Sequence, residues 1–305
     1  MATGEVHVVT GAFSYTGRYI TQRLLAKGIT VKTLTGHPNR PNPLGGQVVA
    51  MPFNFDKPDE LAKSLRGAAV VYNTYWVRFT HGSTGFDQAV ENTKTLVRAA
   101  EAAGVSRLVH VSIANADSKS HLPYYRGKGL LEEFIQGSKL SHAIVCPTVI
   151  YSVHDVLINN IAWIVRRFPA FGVPGNGDYG IQPIFVDDMA DLMVDAGSRT
   201  DNMHADAVGP EIFTFDELVR LIARKINRSV MIMHMSPGLA LFASQVIGLF
   251  VNDVVLTKEE VDGLMAGLLV SKEPPTGKTK LSEWLTQNAD KVGARYASEL
   301  GRHFR

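Results

Sequence analysis

Short β-branched segments alternate with longer segments of helical periodicity over the first 150 residues, and this alternation constrains the fold most strongly. The segments predicted as strands are 6–10, 29–35, 47–51, 69–74, 107–112 and 142–147. The helices predicted between them lie at about 17–27, 58–66, 83–103 and 124–137. Such alternation is typical of βαβ units, whose helices cover both faces of a parallel sheet. The sequence therefore predicts an α/β protein with a doubly wound parallel sheet.

The pattern changes halfway along the chain, where loops rich in glycine and proline separate segments that are mostly helical. We therefore predict a sheet domain over 1–147 and a smaller, mostly helical substrate region over 148–305. The boundary is soft, because a strand predicted over 182–186 could return to the main sheet. Two Thr-x-x-Glu capping boxes predict helix starts at Thr214–Glu217 and Thr257–Glu260.

Composition and charge exclude several function classes. Lys and Arg total 31 against 29 for Asp and Glu, and the net charge of +2 indicates neither a nucleic-acid groove nor a polybasic membrane surface. The single cysteine, Cys146, excludes an intrachain disulfide and any CxxC motif. No apolar run reaches the length of about 18 residues that a transmembrane segment needs. The apolar segment 238–251 is predicted as a packed helix, with an interfacial helix as the less favoured alternative. Because no export signal is visible, we expect a cytoplasmic protein.

The segment VVTGAFSYTGRYI follows the first predicted strand and opens the first predicted helix. Gly11, Ser14 and Gly17 have the spacing of a turn that binds a dinucleotide. The first glycine permits a tight turn, the middle residue lets a pyrophosphate approach the helix N-terminus, and the last lets the helix pack against the strand. Serine in the middle weakens the match, but its hydroxyl can donate to a phosphate. The predicted cofactor contacts of this turn are Gly11, Phe13, Ser14, Tyr15, Thr16 and Gly17.

The end of the second predicted strand bears on the choice of cofactor. Sites selective for NAD usually place an acidic residue there, whereas this strand ends in Thr35. His37 and Arg40 follow as partners for a 2′-phosphate, although Arg40 is equally consistent with a solvated loop residue. We therefore predict NADP(H) as the preferred cofactor and NAD(H) as the alternative. Asn54, with Phe55 beside it, is a candidate adenine contact, and a turn-forming asparagine is the equal alternative.

Tyr124 and Lys128 lie four residues apart on a predicted helix, so their side chains share a face. An ammonium beside a phenol favours the phenolate and lowers its pKa from about 10 toward neutrality, as a general acid or base for a carbonyl or alcohol requires. Ser112, at the end of the fifth predicted strand, would hydrogen-bond the same substrate oxygen. Tyr125 is the rival phenol, and it would otherwise be a ring that faces the core.

These motifs, together with HVSIAN, PTVIY and FVDDMADL, resemble the short-chain dehydrogenase/reductase superfamily in type and order. The chain is similar to extended or atypical members: the NDUFA9-type accessory subunit of respiratory complex I, NmrA-like proteins and epimerase-like proteins. The resemblance implies a Rossmann sheet with the pyrophosphate on Gly11 and Gly17. It also implies that Tyr124 is the catalytic acid or base, that Lys128 holds the nicotinamide ribose and that Ser112 orients the substrate.

The resemblance implies further cofactor contacts. Asn73 and Thr74, at the end of the fourth predicted strand, would line the cofactor cleft. Pro147, Val149 and Ile150 would approach the nicotinamide.

Candidate substrate contacts are aromatic or polar side chains near these motifs. Tyr75 and Trp76 would wall the pocket, with simple core packing as the equal alternative, and Tyr151 is a further candidate. Asn115 is the alternative to Ser112 for the contact with the substrate oxygen.

No metal site is predicted, because the ten histidines form neither an HExxH motif nor a His/Cys ligand spacing. The paired acids Asp187 and Asp188 are better explained as the N-cap and dipole partners of a helix than as a metal clamp.

Two functions remain from the sequence. The first is an NAD(P)-dependent oxidoreductase that acts on a carbonyl or alcohol, with a nucleotide-sugar epimerase or dehydratase as a variant. The second is a non-catalytic NAD(P)H-binding regulator or assembly factor that resembles the NDUFA9-type subunit. The expected partners are a small-molecule substrate, and a second copy or an assembly partner at the C-terminal helices.

Overall fold

The computed structural model describes residues 4–39, 42, 44–80 and 84–303. The chain divides into two compact units. Unit 1 comprises Met1–Cys146 and Met189–Ala205, and unit 2 comprises Pro147–Asp188 and Asp206–Arg305. Unit 1 therefore contains the Tyr124/Lys128 pair and the turn at Gly11, Ser14 and Gly17, called the phosphate turn below.

The described residues form strands and helices with these bounds. The strands are β1 Val6–Thr10, β2 Thr30–Thr35, β3 Val48–Pro52, β4 Ala68–Asn73, β5 Arg107–Val111, β6 Ser141–Pro147, β7 Val149–Tyr151, β8 Ala170–Pro174, β9 Gly180–Ile181, β10 Pro183–Phe185, β11 Met203–Ala207, β12 Phe213–Thr214 and β13 Met231–Met235. The helices are α1 Tyr15–Ala26, α2 Pro58–Leu65, α3 Phe86–Ala102, α4 Pro123–Gln136, α5 Leu157–Arg167, α6 Val186–Gly197, α7 Phe215–Lys225, α8 Pro237–Val251, α9 Lys258–Met265, α10 Leu281–Asn288 and α11 Glu299–His303, and Gly45–Gln47 forms a short 3₁₀ helix.

The central sheet has seven strands in the order β11-β6-β5-β4-β1-β2-β3. The six strands from β1 to β6 pair in parallel throughout. The strand order reverses between β1 and β4, and the carboxyl ends of the strands on either side of such a point leave a crevice in which ligands bind. The predicted α/β fold with a doubly wound parallel sheet is confirmed.

The strand that joins the sheet from the second half of the chain is β11 rather than the predicted segment 182–186. Within unit 2, β10 instead pairs with β7 over three residues. The difference has a physical reason, because Pro183 has no N–H to donate and is restricted to short or edge pairing. The sequence signal for β11 was weak, since MHADA alternates apolar and polar residues over a single short edge strand.

Each unit has its own hydrophobic core. In unit 1, fully buried residues from β1, β2 and the helices α2 and α3 pack together, and they include Val8, Leu34, Leu61 and Leu96. Because the sheet is covered on both faces, its strands are apolar without alternation, which made them recognisable in the sequence. In unit 2, α5 and α7 pack against each other with residues such as Ile161, Leu218 and Ile222 fully or almost fully buried.

Local sequence signals predicted two helix starts in unit 2 and misplaced a third. Thr214 and Thr257 each accept a hydrogen bond from the backbone of the glutamate three residues later, so both capping boxes are confirmed. In contrast, α6 begins at Val186, which places Asp187 and Asp188 inside its first turn rather than at the N-cap. The Asp188 carboxylate accepts hydrogen bonds from the backbone N–H groups of residues 278 and 279, at 2.8 and 2.7 Å.

Helix α8 differs from the packed helix that the sequence predicted. Its buried positions are small residues four apart, Ala240, Ser244 and Gly248. Five of its large apolar side chains are exposed, and Leu249 and Phe250 are 84% and 87% exposed. An apolar segment therefore packs through a narrow stripe of small residues and leaves a hydrophobic face uncovered. None of the described helices has both the length and the hydrophobicity required to cross a membrane.

We expect the double substitution of Leu249→Gln and Phe250→Gln to change the free energy of unfolding by less than about 0.5 kcal/mol, because neither side chain is packed. The matched control is Leu285→Gln, a fully buried position in unit 2, which should lose about 3 kcal/mol or more. Chemical denaturation of the three proteins checks both values. A loss above about 1 kcal/mol in the double variant would show that this face is covered.

Candidate functional site

The turn between β1 and α1 is closed by hydrogen bonds at its small residues. Gly11 has a positive φ of 65°, and its N–H donates to the carbonyl of Leu34 at 2.8 Å. Both the N–H and the hydroxyl of Ser14 donate to the carbonyl of Gly11, at 2.8 and 2.6 Å. Serine therefore fits the middle position, because its hydroxyl folds back onto the turn. It precedes Tyr15, the first residue of α1, and the first turn of that helix contains no acidic side chain.

Gly17 is required by the close approach of α1 to this turn. A Cβ atom at this position would lie 2.1 Å from the carbonyl oxygen of Gly11 and 2.7 Å from its carbon. Backbone atoms cannot move aside as a flexible side chain can, so any larger residue displaces the helix N-terminus. The N-terminus of α1 thus directs the positive end of the helix dipole over a narrow turn, an arrangement that suits a phosphate.

Buried threonines that the sequence analysis missed hold this turn in place. The hydroxyl of Thr33 on β2 accepts from the N–H of Ala12 at 3.0 Å and donates to the carbonyl of Val9 at 2.8 Å. The hydroxyl of Thr10 donates to the Asn73 side chain at 3.1 Å and accepts from the N–H of Thr74 at 2.7 Å. Their only sequence signal was a hydroxyl residue within a buried strand.

Asn73 and Thr74 are predicted cofactor contacts, and both side chains take part in this network. The fully buried amide of Asn73 donates to Nδ1 of His110 at 3.0 Å. Burial, together with the charge of Lys128, keeps the pKa of His110 well below its usual value. The Thr74 hydroxyl donates to the carbonyl of Thr10 at 2.6 Å. These contacts link the carboxyl ends of β1, β4 and β5.

A pocket of about 720 Å³ lies at the ends of β2 and β3 in unit 1. Three predicted contacts line it, namely Thr35, Asn54 and Phe55. Asn54 has a positive φ of 48°, as a turn-forming asparagine does, and it nevertheless lines the pocket. His37 is exposed, and its backbone N–H donates to the Thr35 hydroxyl at 3.2 Å. Arg40, the other predicted 2′-phosphate partner, lies outside the described residues.

Three aromatic rings stand together beside this pocket. Phe53 and Phe55 stack with their centroids 4.8 Å apart, and Tyr75 contacts them at 5.1 and 5.0 Å. The Tyr75 hydroxyl accepts from Asn92, another residue that lines the pocket, at 2.8 Å. The structure thus places Tyr75 near the predicted adenine contacts, whereas the sequence assigned it to the substrate. Phe53 was not predicted.

Helix α4 carries Tyr124, the predicted acid or base, and its partner Lys128. Pro123 at its first position fixes the helix start one residue before Tyr124. The half-buried Tyr124 ring contacts Trp76 and Phe86, each at a centroid distance of 5.8 Å. Tyr125 is buried, and burial raises its pKa strongly, so it is the core-facing ring.

The Lys128 ammonium is buried one turn after Tyr124. Its Nζ donates to the carbonyl of Val111 at 2.7 Å and lies 4.4 Å from the centroid of the Trp76 ring. Burial lowers the pKa of Lys128 to about 7, against the opposing negative charges of Cys146 and Glu132. Trp76 therefore touches both Tyr124 and Lys128. Its buried indole N–H has no hydrogen-bond partner among the described residues.

This buried lysine predicts a pH dependence of stability. Between about pH 7 and the ordinary lysine value of 10.5, the unfolded chain binds a proton that the native state does not. The free energy of unfolding of the wild type should therefore rise with pH in this window, relative to Lys128→Met, by at most about 1.4 kcal/mol per pH unit. Urea denaturation of both proteins across the window measures the difference. Parallel pH profiles would show that Lys128 has an ordinary pKa.

The remaining candidates are placed as follows. Ser112 is buried, and its hydroxyl donates to the carboxylate of Glu132. Asn115 is exposed and has a positive φ of 58°. Tyr151 is buried within unit 2, where its hydroxyl donates to the carbonyl of Thr279 at 3.0 Å. The predicted nicotinamide contacts belong to unit 2, and they are Pro147, Val149 and Ile150.

Comparison with known proteins agrees with this geometry. Residues 11–157, which contain the turn, the pocket and the Tyr124/Lys128 pair, match a family model described as NAD(P)H-binding. The chain has an NAD(P)-binding Rossmann fold. The similarity to other proteins extends beyond residue 157, and it fits the extended short-chain dehydrogenase/reductase superfamily.

One relative and two solved structures illustrate these similarities. The chain is 27% identical over 232 residues to the mitochondrial NADH dehydrogenase (ubiquinone) 1 alpha subcomplex subunit 9 of Arabidopsis thaliana, covering 72% of this chain but only 58% of that protein. Triphenylmethane reductase of Citrobacter sp. complexed with NADP(H) has a TM-score of 0.76 at 16% identity, over 92% of this chain and 99% of that one. UDP-glucose 4-epimerase of Thermus thermophilus in complex with NAD has a TM-score of 0.67 at 17% identity, over 95% and 99%.

Proposed function

We propose that this protein is an NAD(P)-dependent oxidoreductase that transfers hydride between the nicotinamide and a carbonyl or alcohol carbon. The observation that carries the proposal is the placement of Tyr124 and Lys128 on α4 around Trp76, in the same unit as the phosphate turn. A Cβ at Gly17 would fill the narrow turn, so these residues fit a dinucleotide pyrophosphate. When bound, the cofactor would supply or accept the hydride.

The chain's own groups would move the proton. In the reducing direction, the Tyr124 hydroxyl donates its proton to the substrate oxygen, and the resulting phenolate is stabilised by the Lys128 ammonium. The contact of that ammonium with the carbonyl of Val111 holds it in place. Because burial lowers the pKa of Lys128 to about 7, its charge changes near neutral pH, and activity should respond to pH there.

Four side chains are candidates for holding the substrate oxygen or ring. The indole N–H of Trp76 has no hydrogen-bond partner within the described part of the chain, which supports a substrate role for this residue. The Ser112 hydroxyl is engaged with Glu132, so its proposed contact with substrate requires it to turn away, whereas the exposed Asn115 remains the alternative. Tyr151 stays a proposal, since it belongs to unit 2.

The test is a screen of carbonyl compounds with NADPH and with NADH, monitored by loss of the reduced nicotinamide absorbance. Oxidation of the cofactor that depends on both enzyme and carbonyl compound supports the proposal. The epimerase or dehydratase variant predicts conversion of a nucleotide sugar without net consumption of the cofactor. We propose NADP(H) as the preferred cofactor on the strength of Thr35 and His37, because no acidic side chain ends β2.

A second candidate function is an NAD(P)H-binding subunit or assembly factor with little turnover. It is favoured by the Arabidopsis relative, a named subunit of NADH dehydrogenase, and by the exposed apolar face of α8. This function predicts NAD(P)H binding without oxidation by any carbonyl compound. The compartment also stays a proposal: the chain was predicted to be cytoplasmic, whereas that relative is mitochondrial.

A further inference from the structure

Three side chains that could ligate a metal converge in unit 1. They are Glu132 on α4, Cys146 on β6 and His204 on β11, and one donor atom of each lies within 4.8 Å of the others. The Cys146 Sγ is 3.5 Å from Oε1 of Glu132 and 3.6 Å from Nε2 of His204. The same Nε2 is 3.0 Å from Oε2 of Glu132.

One ring nitrogen of His204, Nε2, contacts both other residues, and this distinguishes a metal site from a catalytic triad. In a nucleophilic triad, the histidine contacts the thiol through one ring nitrogen and the carboxylate through the other. Here Nε2 of His204 faces both partners, so the three donors surround one point instead of forming a relay. Convergent sulfur, nitrogen and oxygen donors are the arrangement of a metal centre.

The distances between the donors fit a tetrahedral ion. Zinc bonds of about 2.3 Å to sulfur and about 2.0 to 2.2 Å to nitrogen and oxygen imply spacings of about 3.3 to 3.6 Å between the ligand atoms. The spacings from Sγ of Cys146 to Nε2 of His204 and to Oε1 of Glu132 fall in this range. The spacing from Nε2 to the other carboxylate oxygen, Oε2, is shorter by a few tenths of an ångström, so the two contacts of Glu132 use different oxygens. A small rotation of the half-exposed His204 ring would close this difference.

We propose that Glu132, Cys146 and His204 bind a divalent transition-metal ion, for which zinc has the best-matched ligand chemistry. Cys146 is fully buried, whereas the side chain of His204 is 46% exposed, so an ion has a path from solvent and a water can take the fourth position. The hydroxyl of Ser112 donates to the Glu132 carboxylate and would orient it as an outer partner of the metal. The proposed metal site borders the proposed catalytic residues, because Glu132 bonds Ser112 and the charges of Glu132 and Cys146 act on Lys128. It does not require the proposed oxidoreductase activity, and its test measures metal binding alone.

This inference reverses the expectation of no metal site. Positions 132, 146 and 204 follow no ligand spacing, because a helix and two strands that are distant in sequence each contribute one ligand. Only the return of β11 to the sheet beside β6 brings His204 to the other two.

The test is titration of the tag-free full-length protein, stripped with a chelator and kept reduced, with Zn²⁺ by calorimetry and with Co²⁺ by absorption spectroscopy. We expect one equivalent of Zn²⁺ with micromolar or tighter affinity, and a thiolate-to-cobalt charge-transfer band. Cys146→Ser and His204→Ala should each weaken Zn²⁺ binding at least 100-fold, and the first should abolish the band. Ser112→Ala should weaken Zn²⁺ binding about tenfold.

The matched control is His234→Ala in unit 2. His234 is 47% exposed and contacts the Asp216 carboxylate at 3.1 Å, so it reproduces the His204–Glu132 pair without a thiol. Its substitution should leave the affinity and stoichiometry unchanged. Because His204 is on the surface, His204→Ala remains informative if Cys146→Ser fails to fold. Absence of Zn²⁺ binding tighter than about 100 μM, or equal binding by wild type and His204→Ala, would overturn the proposal.

Discussion

Tyr124→Phe is expected to lower the turnover of a carbonyl substrate by about 10²- to 10⁴-fold, the usual contribution of a positioned general acid. The substitution removes one hydroxyl and keeps the ring that contacts Trp76 and Phe86. Stability and NAD(P)H affinity should therefore stay close to those of the wild type. Steady-state kinetics and calorimetric titration of the variant measure the two quantities separately.

The chain offers a matched control on the next residue. Tyr125→Phe removes a phenol from the same helix, but this hydroxyl belongs to a buried ring and should not reach a substrate. We expect its turnover to remain within about threefold of the wild type, with a modest loss of stability of about 1 kcal/mol. Full activity in Tyr124→Phe, or an equal loss in both variants, would contradict the assignment of Tyr124 as the acid or base.

Gly17→Ala is expected to weaken NAD(P)H binding at least 100-fold. The new Cβ would lie 2.1 Å from the carbonyl oxygen of Gly11, so the turn or the start of α1 must shift where the pyrophosphate is expected. The variant should also be less stable by more than about 2 kcal/mol, because the contact is with backbone atoms. Calorimetry with NADPH and with NADH gives the affinities, and chemical denaturation gives the stability.

Gly46→Ala is the control for adding a methyl group to unit 1, since no atom of the described residues lies within 4 Å of a Cβ at that position. It should bind both cofactors as the wild type does. If Gly17→Ala does not fold, Ser14→Ala tests the same turn in the same titration. It removes only the hydrogen bond from the Ser14 hydroxyl to the carbonyl of Gly11. Unchanged affinity in a folded Gly17→Ala protein would show that the cofactor does not bind at this turn.

The sheet of unit 1 was predictable because its signals are local. Strands buried on both faces are continuous β-branched segments, and the turn with Gly11 and Gly17 depends on steric limits within a few residues. The two capping boxes were predictable for the same reason, since each is a reciprocal contact between residues three apart. The pairing of Tyr124 with Lys128 on one helix face follows from helical spacing alone.

The features that the sequence did not predict depend on contacts between distant segments. Thr33 supports the turn across 21 residues, and the Ser112 hydroxyl finds Glu132 across 20, so neither partner is visible in a motif. The outward face of α8 was missed because hydrophobicity alone does not tell which side packs, and here the small residues do. His204 joined Glu132 and Cys146 only through β11, a strand without a strong sequence signal.

Calorimetric titration of nucleotide-stripped protein with NADPH and with NADH, run side by side, decides whether the turn at Gly11, Ser14 and Gly17 holds a dinucleotide. We expect micromolar or tighter binding of at least one cofactor with one site per chain, and NADPH as the tighter ligand. Tighter NADH binding would reverse the assignment of His37 but keep the site. If neither cofactor binds at about 1 mM, this turn holds no dinucleotide, and the proposed oxidoreductase function is wrong.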